Sequence, residues 1–370
     1  MKIPLFKMSY NAMDTELVND VITRGAYWAE GPEIEDFEQE LIKYQGLRGV
    51  LVCNSGTSAL HMALIACGVK HFHEVIVPSF TFIASVNAVK MLGAEPVFAD
   101  IEPETMGLDP VDVEKRITPK TKAIIAVHYA GHPCKIQELR RIAIKHNLML
   151  IEDCAEAQGA KVDNKMVGTF GDCAVLSFCQ NKIISTGEGG ALITDNKYIY
   201  DQCKLLRSHG RAMGTSFDDA QGDYVTLGYN YRLSSMQAAL GISQLSRIEE
   251  FIERRNHKSD WYCERLSNLK NITLPMLYSN TRHVYQLYTI RLPDDRRDTV
   301  MNHLRDKGIG CKVYFNPVHL TSFYKRQKWS PVSLPVTEHL SKEVLSLPIY
   351  PDLTENEVDQ VCKAIKEALN

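Results

Sequence analysis

The sequence holds no CxxC pair, no run of lysine or arginine, and no stretch that approaches the length of a membrane span. Its ten cysteines are spread widely and sit mostly in apolar segments. That pattern lacks the density of a secreted disulfide scaffold, so reduced thiols in a cytoplasmic protein are expected. A formal net charge of -3 without a basic patch leaves no electrostatic footprint for nucleic acid or an anionic membrane. The first residues, MKIPLFKMSYNAMD, lack the apolar core and small-residue cleavage site of a signal peptide. Neither GxGxxG nor GxxxxGK[ST] occurs, so a Rossmann dinucleotide site or a nucleotide triphosphatase has no support. Internal repeats and low-complexity segments are also missing.

What remains is an ordinary globular composition, 45% hydrophobic and 24% charged over 370 residues, enough for one large domain and a smaller one. From about residue 48, short apolar runs alternate with amphipathic stretches. RGVLVC (48–53), EVIVPS (74–79), EPVFADI (95–101), KAIIAVHY (122–129) and LMLIEDC (148–154) are each bounded by Gly, Pro, Asp or a helical pattern. This order predicts βα units on a mostly parallel sheet covered on both faces. AVLSF (174–178) and GALIT (190–194) lie too close for a crossover helix and are predicted to pair antiparallel. An apolar stripe through Met236, Ala239, Leu240, Ile242, Leu245, Ile248 and Phe251 predicts one long helix from Ser234 past Arg255, bridging two domains. After it, QLYTIRL (286–292) and CKVYF (311–315) read as strands, and Thr354-x-x-Glu357 opens a final helix. The boundaries predicted are 1–250 for a large α/β domain and 251–370 for a small α+β domain.

Three stretches could carry chemistry. CNSGTSAL (53–60) sits at a strand-to-helix junction, where Gly56, Thr57 and Ser58 would offer free amides and a hydroxyl to a phosphate. On its own it reads first as a helix cap in a tight turn. IEDCAEAQGA (151–160) puts Glu152, Asp153 and Glu156 at the C-terminal end of a strand, the edge at which open α/β sheets bind ligands. No histidine lies at ligand spacing, so no metal is expected there. SFCQNKIISTGEGG (177–190) places Lys182 five residues after Ser177 and before a glycine cluster. A phosphate cradle, a strand-end acid and a lysine after a later strand are the parts that a pyridoxal phosphate enzyme needs: an electron-sink ring anchored by phosphate, an acid at its nitrogen, and a Schiff-base lysine.

These motifs, with TRGAYWAEGPEIEDFE (23–38), VPSFTFIASVNAV (77–89), LGYNYRLSSMQAALG (227–241) and VYFNPVH (313–319), resemble the DegT/DnrJ/EryC1/StrS family of nucleotide-sugar aminotransferases over essentially the whole chain. The resemblance implies a fold-type-I, aspartate aminotransferase-like transferase with a mostly parallel seven-stranded sheet. It implies that Lys182 is the Schiff-base lysine and proton shuttle and that Asp153 pairs with the pyridine nitrogen. Gly56, Thr57, Ser58 and Ser177 hold the phosphate, Phe82 stacks on the ring, and Asn230 reaches the phosphate from the other subunit of a homodimer with shared sites. Glu156 stands where many relatives have glutamine against the phenolic oxygen, and a carboxylate there must turn away or hold a proton. The reaction implied moves an amino group from L-glutamate to C4 of a nucleotide-linked 4-keto-6-deoxy sugar, toward a cell-surface polysaccharide such as an O-antigen.

Other readings stay open at this point. Amination at C3 of a 3-keto sugar fits the same motifs. A dehydratase of the family would carry histidine at Lys182, and a regulatory protein on the fold would lose the lysine, the aspartate or the phosphate residues. Tyr27, Trp28, Glu30, Tyr314, Phe315 and His319 are further candidates for contacts to the sugar nucleotide or glutamate. His128, His132 and Cys134 in HYAGHPC read as a structural turn.

Overall fold

The computed structural model describes residues 2–212, 222–327 and 332–369. Runs of buried β-branched and aliphatic residues form the strands β1 (Gly49–Cys53), β2 (Glu74–Pro78), β3 (Glu95–Ala99), β4 (Thr121–Val127) and β5 (Met149–Asp153). A two-strand hairpin, β6 (Lys161–Val162) and β7 (Lys165–Met166), precedes β8 (Cys173–Ser177) and β9 (Gly190–Thr194). Seven of these make one sheet in the order β1-β9-β8-β5-β4-β2-β3. Every pair from β3 across to β8 is parallel, and β9 runs antiparallel to both β8 and β1. The AVLSF and GALIT pairing predicted from their spacing is present.

Helices α1 (Ala12–Arg24), α2 (Glu33–Gln45), α3 (Gly56–Ala66), α4 (Ala84–Met91), α5 (Pro110–Lys115), α6 (Ile136–Lys145) and α7 (Lys197–Arg207) surround this sheet. Because side chains alternate along a strand, each strand feeds two cores. Val50, Val52, Leu150 and Leu176 pack with Phe37 and Leu41 of α2 and Leu139 of α6, whereas Leu51, Ile151 and Val175 pack with Leu60 and Met62 of α3 and Val86 of α4. β1 is an edge strand, and its outer backbone is occupied by side chains. The Val52 amide donates to Glu38 and the Val52 carbonyl accepts from Arg207, which is itself paired with Glu38. An edge closed in this way cannot recruit a further strand.

The long helix predicted from Ser234 is two helices, α8 (Ser235–Leu245) and α9 (Ile248–Leu266). The apolar stripe is continuous through the break. At the break Arg247, at φ -114° and ψ 9°, donates to both oxygens of the buried Asp14 of α1 at 2.7 and 2.6 Å. Gln244 donates to the same carboxylate. Beyond α9 lie β10 (Thr281–Arg282), which pairs with β6, then β11 (Tyr288–Arg291), α10 (Arg296–Asp306), α11 (Pro335–Glu343), β12 (Val344–Leu347) and α12 (Glu355–Leu369). β11 and β12 pair antiparallel, and their core takes in Tyr262, Leu304, Val358 and Val361, with Ile3 from the start of the chain. CKVYF, expected as a strand, makes only the single bridge Lys312–Ser346. Past Lys312 the Tyr314 carbonyl accepts from the hydroxyl of Tyr129, two residues after β4, instead of from a ladder partner. No helix among the described residues is long and apolar enough to cross a membrane.

Burial alone would raise the Asp14 carboxyl, but the nearby Ser243 hydroxyl and hydrogen bonds from the Asn11 amide, Arg247 and Gln244 outweigh it and hold the group below its ordinary 3.8. Replacing it by Asn is expected to cost about 2 kcal/mol at neutral pH, the scale of charge-assisted hydrogen bonds. A depressed folded-state pKa contributes stability above the unfolded value and loses it as pH falls through the folded one. Denaturation midpoints of the native chain and Asp14→Asn should therefore differ fully at neutral pH and converge in strong acid.

Candidate active site

β1, β5 and β8 share a direction, so their C-terminal ends lie on one edge of the sheet. The register places Cys53 and Ser177 on either side of Gly190, the first residue of β9. A side chain at 190 would have its Cβ 2.5 Å from the Gly56 nitrogen and 2.5 Å from the Ser55 carbonyl carbon. Glycine therefore allows β9 to lie directly against the start of α3. Ser177 closes the other flank, since a Cβ on Gly56 would stand 3.1 Å from the Ser177 Cβ.

At this junction Ser55 is extended and caps α3, its hydroxyl accepting from the Ser58 amide at 3.1 Å. Ser58 in turn donates its hydroxyl to Asn54 at 2.7 Å. The amides of Gly56 and Thr57 have no protein acceptor among the described residues, which leaves the start of the helix open. Unpaired amides at a helix start, hydroxyls beside them and glycine backbone without Cβ atoms form a concave anion cradle.

Adjacent carboxylates on β5 point to opposite faces. Asp153 faces α4, where one oxygen accepts from the Ser85 hydroxyl at 2.7 Å and the other from the Ala155 amide at 3.1 Å. Glu152, with no solvent exposure, accepts from the amides of Gly168, Phe170 and Gly171 at 2.8, 2.7 and 2.6 Å and faces His128 Nε2 at 3.0 Å. His128 Nδ1 accepts from the Cys134 amide. His128, Glu152 and Cys154 crowd together in a way that could suit a metal, yet backbone amides already take the Glu152 lone pairs and both imidazole nitrogens are engaged. HYAGHPC contains a short 3-10 turn, Tyr129–Gly131, just after β4.

Lys182 lies in the loop between β8 and β9, with Nζ 3.5 Å from Glu156 Oε1. Glu156 Oε2 accepts from the Ala130 amide at 2.9 Å. Glu156 therefore faces the lysine. Phe82 is 60% exposed, its ring 6.2 Å from that of Phe315. Asn230 is exposed beside this chain's own Asn54, whose side-chain amide donates to the Asn230 carbonyl at 3.3 Å. Burial and the Glu156 carboxylate push the Tyr314 phenol up to about 12, countered by a side-chain hydrogen bond with Asn181. Trp28 donates to the Val21 carbonyl, Glu30 lies 3.7 Å from both Arg211 and Arg232, and His319 Nδ1 meets the Ser79 hydroxyl at 2.6 Å.

Sequence reasoning overlooked Ser85 as the partner of Asp153, and two buried glutamines, Gln158 and Gln286, that hold the Lys182 loop. Their only signal was a polar residue inside an apolar run. The donor set present fits pyridoxal phosphate: a cradle for its phosphate, an acceptor carboxylate, and an amine, all at one edge of the sheet.

The DegT/DnrJ/EryC1/StrS aminotransferase family profile matches residues 9–366. The chain belongs to the DegT/DnrJ/EryC1/StrS aminotransferase family. It is 36% identical over 371 residues to GDP-perosamine synthase of Escherichia coli O157:H7, covering 99% of this chain and 98% of that relative. To GDP-perosamine synthase of Caulobacter vibrioides it is 38% identical over 361 residues, with 96% and 93% covered. The crystal structure of S. venezuelae DesV in complex with a ketimine intermediate superimposes with a TM-score of 0.92 at 34% identity, covering 100% of this chain and 99% of that one. The fold is that of these aminotransferases, the chain is an enzyme of that class, and the family depends on pyridoxal phosphate.

Glu152 is the buried anchor of the loop Gly168–Gly171. Glu152→Ala leaves one buried and two half-buried amides without an acceptor, and at about 1 to 3 kcal/mol for a buried one, a loss of about 3 kcal/mol is expected in urea denaturation.

Proposed function

We propose that this enzyme transfers an amino group from L-glutamate to C4 of a nucleotide-linked 4-keto-6-deoxy sugar, a reading supported by its likeness to relatives named GDP-perosamine synthase. The observation that carries the reading is the convergence at one sheet edge of Lys182, Asp153 and the open start of α3. When bound there, pyridoxal phosphate supplies an aldehyde to carry the amino group and a protonated ring that draws electrons from the reacting carbon.

In this reading the amides of Gly56 and Thr57, with the hydroxyls of Thr57, Ser58 and Ser177, bind the phosphate. Asp153, oriented by Ser85 and the Ala155 amide, holds a proton at the ring nitrogen. The Phe82 ring covers one face of the cofactor and excludes water. Lys182 Nζ takes the proton from the α-carbon of glutamate and, in the second half-reaction, returns a proton to C4 of the sugar. Glu156, tethered to Ala130, stays within reach of Lys182 and orients its amine between these steps. Asn230 completes the phosphate site from a second subunit, so the working unit is a homodimer. We place the division between large and small domains near residue 250, the first residues returning to the small one. A cytoplasmic location and a role in polysaccharide or O-antigen synthesis accompany this function.

Purified protein should show a visible absorption band from bound cofactor, which L-glutamate bleaches. Lys182→Ala should abolish the band's response and lower turnover about a thousandfold or more, the range for a lost proton-transfer group. Glutamate-treated enzyme offered a panel of GDP-, UDP- and dTDP-linked 4-keto and 3-keto sugars should regain the band with a 4-keto sugar. Recovery only with a 3-keto sugar would move the reaction to C3, and recovery with none would reject nucleotide sugars as acceptors.

A further inference from the structure

Lys182 is held from both sides by carboxamides that belong to distant segments. Gln158, in the turn after β5, donates through Nε2 to the Ser177 carbonyl and accepts through Oε1 from the Ile184 amide at 3.4 Å. It therefore spans the loop from the end of β8 to the second residue after the lysine. Gln286 reaches in from the smaller unit, 3% exposed, and donates through Nε2 to the Asn181 carbonyl at 2.5 Å.

That carbonyl belongs to the peptide plane whose other half is the Lys182 N–H, and a peptide plane turns as one body. The same N–H donates back to the Cys179 carbonyl at 3.0 Å. Holding the Asn181 oxygen thus sets the orientation of the tight turn 179–182 and the direction in which the Lys182 side chain leaves the backbone.

The support behind Gln286 is rigid. Its neighbours Val284 and Leu287 donate their amides to the carbonyls of Gly131 and Ala130 at 3.1 and 3.2 Å. The buried Arg255 guanidinium donates to the Tyr285 and Ile349 carbonyls at 3.0 and 3.1 Å. Ala130 is also the residue whose amide holds Glu156, and Glu156 faces Lys182 Nζ. One docked segment therefore controls both the backbone of the lysine and the carboxylate beside its amine.

We propose that Gln286 is a positioning residue for Lys182, through which the smaller unit sets the geometry of the reactive loop. The assignment rests on the proton-transfer role given to Lys182, but its structural half can be tested without cofactor.

Cys179, partly exposed and two residues before Asn181, reports on the turn. Cys263, partly exposed on α9 with its thiol 3.5 Å from the Tyr288 hydroxyl, reports on the smaller unit. The cofactor-free chain is alkylated with iodoacetamide, and each site is followed by peptide mass spectrometry. Gln286→Met, which keeps the volume and loses the donor, should speed Cys179 modification about fivefold, the leverage of one ordinary hydrogen bond. Cys263 should not change, and Gln286→His, which retains an N–H at similar reach, should restore the native rate at Cys179. In cofactor-loaded protein, Gln286→Met should slow glutamate-driven bleaching about fivefold while the half-saturating glutamate concentration stays within about twofold.

An unchanged Cys179 rate overturns the proposal, as does a parallel rise at Cys263, which marks general loosening of the smaller unit. If the native protein is not bleached by glutamate, the aminotransferase reading fails, and the thiol comparison still decides whether Gln286 holds the turn.

Discussion

The site depends on one close backbone approach, that of Gly190 to the start of α3. Because β9 lies antiparallel between β1 and β8, the ends of both neighbours flank its first residue. Any Cβ there would fall 2.5 Å from the Gly56 nitrogen. Widening that contact would separate Ser177 from the helix start and open the cradle before any catalytic side chain had moved. The remaining chemistry is arranged around this fixed point, with Asp153 one parallel strand away and Lys182 in the loop that returns to Gly190.

Alternation along β5 divides labour between two neighbouring acids. Glu152 falls on the face packed by α2 and α6, where a bare carboxylate would be costly, and three amides and a histidine satisfy it. Asp153 falls on the face of α3 and α4, toward the cradle, and retains acceptor capacity after its bonds to Ser85 and Ala155. The strand's period of two makes one acid structural and leaves the other for the ligand.

The smaller unit takes part in the site through polar contacts with the larger one. Tyr129 binds the Tyr314 carbonyl, Val284 and Leu287 bind the Ala130–Gly131 loop, and Gln286 binds the residue before Lys182. These are hydrogen bonds between buried groups, which lose more when one partner is removed than they contribute when both are present.

Local pattern was enough to determine the α/β class, the seven strands, the antiparallel pairing of AVLSF with GALIT and the family to which CNSGTSAL, EDCAEAQGA and the Lys182 loop point. Each depends on periodicity or on residues within a few positions of one another. Tertiary structure alone decided the rest. The stripe from Met236 to Phe251 is helical throughout by pattern, yet the helix is broken at Arg247, which meets Asp14 more than 230 positions away. CKVYF has strand composition, yet the Tyr129 hydroxyl claims the carbonyl that a ladder would use. Glu156 faces Lys182 because the Ala130 amide holds its other oxygen, and Gln286 meets Asn181 across 105 positions. In each case a buried polar group took the partner that the folded chain placed nearest, and sequence distance carries no record of that choice.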